Sequence, residues 1–256
     1  MPDDDPVTRA TRALTETLCP PAATGRNSVD RVRGVWQARA VAPRRRRTEL
    51  VRWVPPLLVG FDTETTGLDV AHDRAIAYGV YAWRLGAPAQ VERFYVVPDR
   101  EISEGSRRVH GLDRERLEGL RADHDVLTPL AGARRAREIL GAWSREGAAI
   151  VGANVAGFDL AMLRATLLDL GEGVDAVRVI DELDVVDVID HDLVIEPSRE
   201  HRPRRTLTHL CRHYGVDPGG HDAVGDARAA VEVLLRQVEH NQQGQMVLDG
   251  RSGPRW

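Results

Sequence analysis

The sequence contains no lysine, so all 35 of its basic residues are arginine. Such complete use of arginine is typical of a composition bias and does not by itself indicate a function. Together with 39 acidic residues it leaves a formal net charge of -4. This balance excludes a protein that binds nucleic acid through bulk positive charge, so any such contact must depend on a local basic surface or on bound metal ions.

Cysteines and long hydrophobic runs are also scarce. Cys19 and Cys211 are the only cysteines, too few for a disulfide framework or a cysteine metal cluster, which fits a reducing compartment. No apolar run approaches the length of a membrane span, and the acidic start MPDDDP is not followed by the apolar segment of a secretion signal. The sequence therefore predicts a cytoplasmic protein without membrane contact.

The length and composition favour one substantial folded domain with appendages. The chain has 256 residues, of which 42% are hydrophobic and 29% charged, as in soluble globular proteins. We expect an arginine-rich, partly helical N-terminal extension over residues 1–50, a main domain over 51–240 and a polar C-terminal tail over 241–256. The run Arg44–Arg47 could contact a nucleic-acid backbone, and a solvated linker is an equally good interpretation.

The most informative segment is LLVGFDTETTGLD, residues 57–69. Four apolar residues interrupted by one glycine lead into Asp62, Thr63 and Glu64, a pattern typical of a buried strand. Side chains alternate along a strand, so Asp62 and Glu64 point the same way. Adjacent carboxylates lose hydration and repel each other unless a cation lies between them, and oxygen-only ligands favour Mg²⁺ or Mn²⁺. Alternatively, Asp62 caps the following turn and Glu64 is solvated.

A second acidic motif is GANVAGFDLAML, residues 152–163. It places Asn154 at the end of a predicted strand and Asp159 at the start of a predicted helix. A carboxylate in that position is also favourable simply because it faces the positive end of the helix dipole. This motif alone therefore leaves the role of Asp159 open.

The third motif is HDAVGD, residues 221–226, at the head of the last predicted helix. Asp226 shares a helix face with Ala230 and Val233, so its carboxylate would point inward from an apolar stripe and would need a partner. His221 follows two glycines and need not be helical. A loop histidine can approach a metal-bound water without being a metal ligand.

Taken together, the three motifs resemble those of the DnaQ-like, or DEDDh, 3'-to-5' exonucleases, in particular the proofreading epsilon-subunit type. The resemblance spans residues 57–240 and includes the segment RRTLTHLCRHYGV ahead of the third motif. The H-x-x-x-x-D spacing of His221 and Asp226 resembles the feature that separates this branch from its tyrosine-bearing relatives. The N-terminal extension and the acidic stretch at residues 181–192 depart from the family pattern and leave the substrate open.

The resemblance implies hydrolysis of phosphodiesters by two Mg²⁺ ions about 3.5 to 4 Å apart, for which Mn²⁺ could substitute. Asp62, Glu64 and Asp226 would hold one ion, Asp62 would share the second with the substrate phosphate, and Asp159 would act directly or through water. His221 would take the proton from the metal-bound water. The remaining site residues would contact the terminal nucleotide: Thr65, Thr66, Gly67, Leu68 and Asn154.

The resemblance also implies an RNase H-like α/β fold, in which a mixed sheet carries an antiparallel hairpin on a parallel portion and is flanked by helices. The sequence pattern predicts strands at 57–64, 75–85, 90–97, 149–154 and 177–188, and helices at 128–146, 159–170, 206–214 and 222–240. This order of elements is typical of the α/β class.

The expected reaction is the release of nucleoside 5'-monophosphates from DNA 3' ends, on single strands or frayed ends. One alternative is a 3'-to-5' exoribonuclease acting on short RNA. Another is an inactive protein that keeps the nuclease fold and only binds nucleic acid or a polymerase. Proofreading, DNA repair, RNA processing and phage defence all stay open as pathways. Residues Gln245–Leu248 loosely resemble a sliding-clamp-binding peptide, which makes a clamp or polymerase a candidate partner of the tail.

Overall fold

The computed structural model describes residues 55–196 and 205–248, the last seven of them by their backbone alone. The predicted N-terminal extension, including Arg44–Arg47, lies outside the described residues, as do residues 249–256. The chain divides into two compact units, one formed by Pro55–Leu234 and the other by residues 1–54 with 235–256. Every candidate site residue belongs to the first unit. No helix within the described ranges combines the length and apolar composition that a bilayer-spanning segment needs.

The centre of the first unit is a mixed sheet in the order β4-β3-β2-β1-β5-β6. Antiparallel pairing joins β1 to β2 and β2 to β3, whereas β1, β5 and β6 run parallel and β4 runs parallel to β3. The predicted combination of an antiparallel hairpin with a parallel portion is therefore confirmed. The strands are β1 Leu57–Thr65, β2 Ala75–Arg84, β3 Gln90–Val96, β4 Val126–Leu127, β5 Ala149–Gly152 and β6 Val185–Asp187.

Eight α-helices lie in the described part of the chain and flank this sheet. Several begin at a side-chain cap, as at α1, where Ser103 accepts from the Ser106 amide, and at α7, where Thr206 accepts from the His209 amide; such caps satisfy amides that have no partner within the helix. The helices are α1 Glu104–His110, α2 Arg114–Gly119, α3 Pro129–Arg145, α4 Asp159–Asp169, α5 Val174–Asp181, α6 Val188–Ile195, α7 Leu207–Tyr214 and α8 Ala223–Leu248.

Two predicted boundaries are wrong. The single strand expected at 177–188 is instead the end of α5, a turn, and the short strand β6. Val177 and Ile180 are both buried in α5, and their spacing of three fits a helix turn as well as it fits an irregular strand. The last helix also continues past His240 to Leu248, so Gln245–Leu248 lie within the helix and not in a tail that follows it. A clamp contact there stays a prediction.

The alternation of β1 gives the sheet two different faces. Val59 and Phe61 point to one face and are fully buried in the main hydrophobic core, where Tyr78 stacks on Phe94 with ring centroids 4.7 Å apart. Helices α3, α4 and α5 contribute the other side of that core. The opposite face of β1 carries Gly60, Asp62 and Glu64, so the candidate site lies on the face away from this core.

Helix α8 covers that second face so closely that its backbone contacts the backbone of the strands. A Cβ atom added to Gly60 would lie 2.1 Å from the carbonyl oxygen of Ala227, and one added to Gly79 would lie 2.2 Å from the carbonyl carbon of Ala223. Gly79 is the partner of Asp62 in the antiparallel register of β1 and β2. The two glycines therefore allow the first turns of α8 to reach the strand that carries Asp62.

Candidate metal centre and active site

Three of the predicted carboxylates form one cluster. An oxygen atom from each of Asp62, Glu64 and Asp226 lies within 4.8 Å of the other two. The first two come from one face of β1, and Asp226 reaches them because α8 packs directly against β1 and β2. Among the described residues, no arginine forms an ion pair with any of the three. The cluster thus brings three acidic groups together without an arginine to pair with them.

Burial and the proximity of the carboxylates shift the pKa values of the cluster. Burial, followed by repulsion from Asp226, raises the pKa of Glu64 to about 8. Burial also raises the pKa of Asp62 well above its usual range, with further contributions from Asp159 and Asp226. The pKa of Asp226 is raised mainly by burial, although the nearby His221 lowers it in part. Each shift reports that burial, together with neighbouring carboxylates, disfavours the ionised form.

The donor set fits a divalent cation. It offers only carboxylate oxygens, and no cysteine or histidine belongs to the cluster, which favours hard ions such as Mg²⁺ or Mn²⁺ over zinc. A bound cation would also reverse the unfavourable ionisation of all three groups. These residues therefore fit the metal dependence expected of an exonuclease.

Asp159 lies beside the cluster but is not part of it. It begins α4 and its Oδ1 accepts a hydrogen bond from the Thr63 hydroxyl at 2.6 Å. Burial raises the pKa of Asp159 to about 7, and the bond from Thr63 lowers it in part. Asp159 is still close enough to Asp62 to raise the pKa of that group. Of the four predicted metal ligands, the structure brings three together and holds the fourth next to them.

His221 lies in the loop before α8, outside the helix as the sequence predicts. It is exposed and has a backbone φ of 60°, in the left-handed region that is uncommon for a residue with a Cβ atom. The next residue, Asp222, caps the helix by accepting from the Gly225 amide at 3.1 Å, and Arg93 donates to the same oxygen at 2.6 Å. Backbone geometry and a cap thus fix where the His221 loop joins α8.

Sequence reasoning did not identify Asp222. Its charge raises the pKa of both Asp62 and Glu64, so it adds to the field at the cluster. The signal was present, because aspartate just ahead of a helix is a preferred cap, but its ion pair with Arg93 on β3 depends on the tertiary fold.

The predicted nucleotide-contacting residues lie at the end of β1, in the loop that follows it and in the loop after β5. Asn154 is exposed at the end of β5 and has a φ of 61°. Leu68 is 83% exposed, whereas Thr65 and Thr66 are buried and use their hydroxyls within the protein, on the Gly67 carbonyl and on Asp73. The threonine side chains are therefore engaged, and Leu68 is an exposed apolar side chain in this loop.

His110 is a second residue that the sequence did not assign to the site. Its Nδ1 accepts a hydrogen bond from the Leu112 amide at 3.0 Å, so we assign the proton to Nε2, which donates to the Thr65 carbonyl at 3.1 Å. Burial is the main cause that lowers its pKa, which favours this neutral form. His110 thereby anchors the backbone directly after Glu64.

The raised pKa values predict how the metal-free protein responds to pH. Glu64 keeps a proton in the folded state up to a pKa of about 8, well above the usual carboxyl range of the unfolded chain. Between these values the folded state binds more protons, so its stability falls as pH rises. We expect the thermal midpoint with EDTA to be several degrees lower at pH 8 than at pH 6, and Mg²⁺ to restore it. An equal midpoint at both pH values with EDTA would contradict this assignment.

Comparison with known proteins agrees with the family resemblance of the three sequence motifs. The sequence model of the family described as "Exonuclease" (RNase T) matches residues 59–234. A PolC-type DNA polymerase III from Thermotoga petrophila is 30% identical over 182 residues, which cover 71% of this chain and 12% of the polymerase. The chain thus spans only a small part of that relative.

Solved structures of Escherichia coli Exonuclease I share the fold. A complex with a 5cy-dT13 oligonucleotide has a TM-score of 0.55 and 20% identity, covering 74% of this chain and 42% of Exonuclease I. A zinc-bound complex with single-stranded DNA has a TM-score of 0.56 and 20% identity, with the same coverage of 74% and 42%. The family match covers most of the described domain, and its residues include the whole acidic cluster. This chain belongs to the DnaQ-like exonuclease family.

Proposed function

We propose that this chain is a cytoplasmic, metal-dependent 3'-to-5' exonuclease that releases nucleoside 5'-monophosphates from DNA. The observation that carries the proposal is the cluster of Asp62, Glu64 and Asp226, three carboxylates that no arginine of the described residues pairs with, in an exonuclease-family fold. Carboxylates arranged in this way are unfavourable for folding by themselves. Their retention is explained if they bind the metal ions that the reaction needs.

Asp62, Glu64 and Asp226 would hold Mg²⁺, with Asp159 contributing directly or through water. When bound, such ions lower the pKa of water and neutralise charge on the phosphate. The charges of the three other carboxylates all raise the pKa of Asp62, which supports its position at the centre of the set. His221 is the proposed general base and takes the proton of the attacking water on a ring nitrogen.

The preference for DNA rests on the relatives. The polymerase relative is named as a DNA polymerase, and the Exonuclease I structures contain DNA oligonucleotides. Leu68 would contact the terminal base as an exposed apolar group, while the amides around Gly67 and Asn154 would contact the nucleotide through polar atoms. Such contacts are consistent with a single-stranded or frayed 3' end, because a paired base would not be free to reach Leu68.

A digestion panel tests the proposal. Single-stranded DNA, duplex DNA with a 3' mismatch and short RNA, each labelled at the 5' end, are incubated with Mg²⁺, Mn²⁺ or EDTA, and products are identified by mass. We expect a ladder shortened from the 3' end, nucleoside 5'-monophosphates, faster release from DNA than RNA and no release with EDTA. Faster release from RNA would support the exoribonuclease alternative. Internal cleavage, or no release with either metal, would contradict the proposal.

His221→Gln separates the base from the metal site. We expect kcat to fall by about 10² to 10⁴-fold, because a general base contributes roughly that factor to rate, while Mn²⁺ and DNA affinity stay near wild type. The decline of wild-type activity at acidic pH should also become shallower, since an imidazole that gains a proton no longer accepts one. His209→Gln is the control, because His209 lies on α7 and its ring bonds to the Thr206 hydroxyl at the start of that helix. Full activity of His221→Gln with an unchanged pH profile would exclude the assigned role.

A further inference from the structure

The loop that follows β1 is closed by bonds between its two ends. The Thr66 amide donates to the Arg74 carbonyl at 2.8 Å, and the Arg74 amide donates to the Thr66 hydroxyl at 2.9 Å. Arg74 is fully buried and forms ion pairs with Asp169 on α4 and with Asp99. The base of the loop is therefore fixed to the body of the domain, although Leu68 near its middle is exposed.

The carboxylate of Asp73 fills the inside of this loop. Its Oδ1 accepts from the Thr66 hydroxyl at 2.7 Å, and its Oδ2 accepts from the Asp69 amide at 2.8 Å. A Cβ atom added to Gly67 would lie 2.3 Å from the same Oδ2. Asp73 thus contacts the residues on both sides of Leu68. This packing also explains the glycine at position 67, because a side chain there would collide with the Asp73 carboxylate.

These contacts hold Leu68 outward before any ligand arrives. Its side chain is 83% exposed, and the amide that follows it is bonded to Asp73. A loop that is already ordered loses less conformational entropy on binding than one that must become ordered. The contacts of Asp73 are internal to the protein, so any effect it has on substrate must pass through the loop.

We propose that Asp73 is a positioning residue, which holds Leu68 in the conformation that contacts the terminal base of the substrate. The inference rests on the proposed function, because it assumes a nucleotide bound next to Asp62 and Glu64. It goes further by naming a residue outside the acidic cluster that sets affinity for the 3' end. It also predicts that Asp73 and Leu68 act as one unit.

A double-mutant cycle tests this unit. KM and kcat for 5'-labelled single-stranded DNA are measured with Mg²⁺ for wild type, Leu68→Ala, Asp73→Ala and the double variant. We expect each single change to raise KM about tenfold, with kcat within about twofold. This is the effect of losing a leucine side chain that the bound substrate would bury. The double variant should raise KM no more than the larger single effect, because residues that act through one contact are not additive.

Asp113→Ala is the matched control. Its carboxylate also accepts a backbone amide, that of Arg116 at 2.8 Å, but it caps α2, so KM should stay at the wild-type value. Asp73→Asn keeps an acceptor for Thr66 but turns a donor toward the Asp69 amide, and its KM should lie between those of wild type and Asp73→Ala. If Asp73→Ala does not fold, the same cycle is run with Asp73→Asn.

Two failures are distinguishable. If wild type releases nucleotides and the two substitutions multiply to about a hundredfold increase in KM, Asp73 does not act through Leu68 and this inference is wrong. The same conclusion follows if Asp73→Ala lowers kcat and Mn²⁺ affinity without raising KM, since that pattern indicates a general structural role. If wild type releases no nucleotide from any substrate, the proposed function is wrong, and this inference with it.

Discussion

Asp62→Asn is expected to lower nucleotide release by at least about 10³-fold while the protein remains folded. Metal ions at such a site stabilise several kcal/mol of charge in the transition state, and Asp62 is the carboxylate that interacts with Glu64, Asp159 and Asp226 together. Losing its charge removes the group around which the others are arranged. The measurement is single-turnover release of nucleotide from single-stranded DNA with saturating Mg²⁺.

The same variant should be more stable than wild type without metal at pH 8. Removing one buried negative charge relieves the repulsion that raises the pKa of its neighbours, so the thermal midpoint with EDTA should rise. Asp184→Asn is the matched control, because burial alone raises the pKa of Asp184 and it is not in the acidic cluster. If Asp62→Asn is inactive but less stable than wild type at pH 8 with EDTA, the carboxylates do not repel each other as the structure indicates.

Gly60→Ala is expected to damage the fold and the metal centre together. The new Cβ would lie 2.1 Å from the Ala227 carbonyl oxygen, a backbone atom that cannot rotate away. Overpacking of this kind typically lowers the free energy of unfolding by about 1 to 3 kcal/mol, and helix α8 must move to relieve it. Because α8 carries Asp226, we also expect Mn²⁺ affinity to fall, as measured by calorimetry.

Gly119→Ala provides the comparison. A Cβ at Gly119 meets no atom within 4 Å, and the residue has helical backbone angles, so alanine there should leave stability unchanged or raise it slightly. Metal affinity should be unaffected. Wild-type stability and Mn²⁺ affinity in Gly60→Ala would show that α8 has room to move, and would remove the proposed reason for the glycine.

Local periodicities in the sequence were sufficient to predict where each carboxylate of the cluster points, and the resemblance to the family brought the three together. Residues two apart on a strand point to the same face, which placed Asp62 with Glu64. Asp226 was indicated by its position on an apolar helix face. The confirmed hairpin likewise follows from two segments rich in β-branched and aromatic residues that are separated by a turn.

The elements that were missed depend on contacts between distant residues. Helix α5 was mistaken for a strand because a short segment with alternating valines satisfies both periods, and only packing against α3 and α4 decides between them. His110 and Asp222 gain their importance from Thr65 and Arg93, which are far away in the sequence. Gly60 looked like an interruption of a strand, although in the structure Gly60 and Gly79 are points where α8 touches the sheet.

The direct contact of α8 with Gly60 and Gly79 makes the geometry of the acidic cluster resistant to gradual change. In most interfaces between a helix and a sheet, side chains separate the two backbones. Exchanging a side chain for a slightly larger or smaller one then adjusts the spacing in small increments. Here backbone atoms contact backbone atoms, so the spacing cannot be adjusted by exchanging side chains. Even the smallest side chain, a methyl group on either glycine, would clash with α8. The distance between the backbones that carry Asp62 and Asp226 is therefore set by main-chain dimensions shared by all sequences, and redesigning it would require sliding the helix by a residue or replacing it.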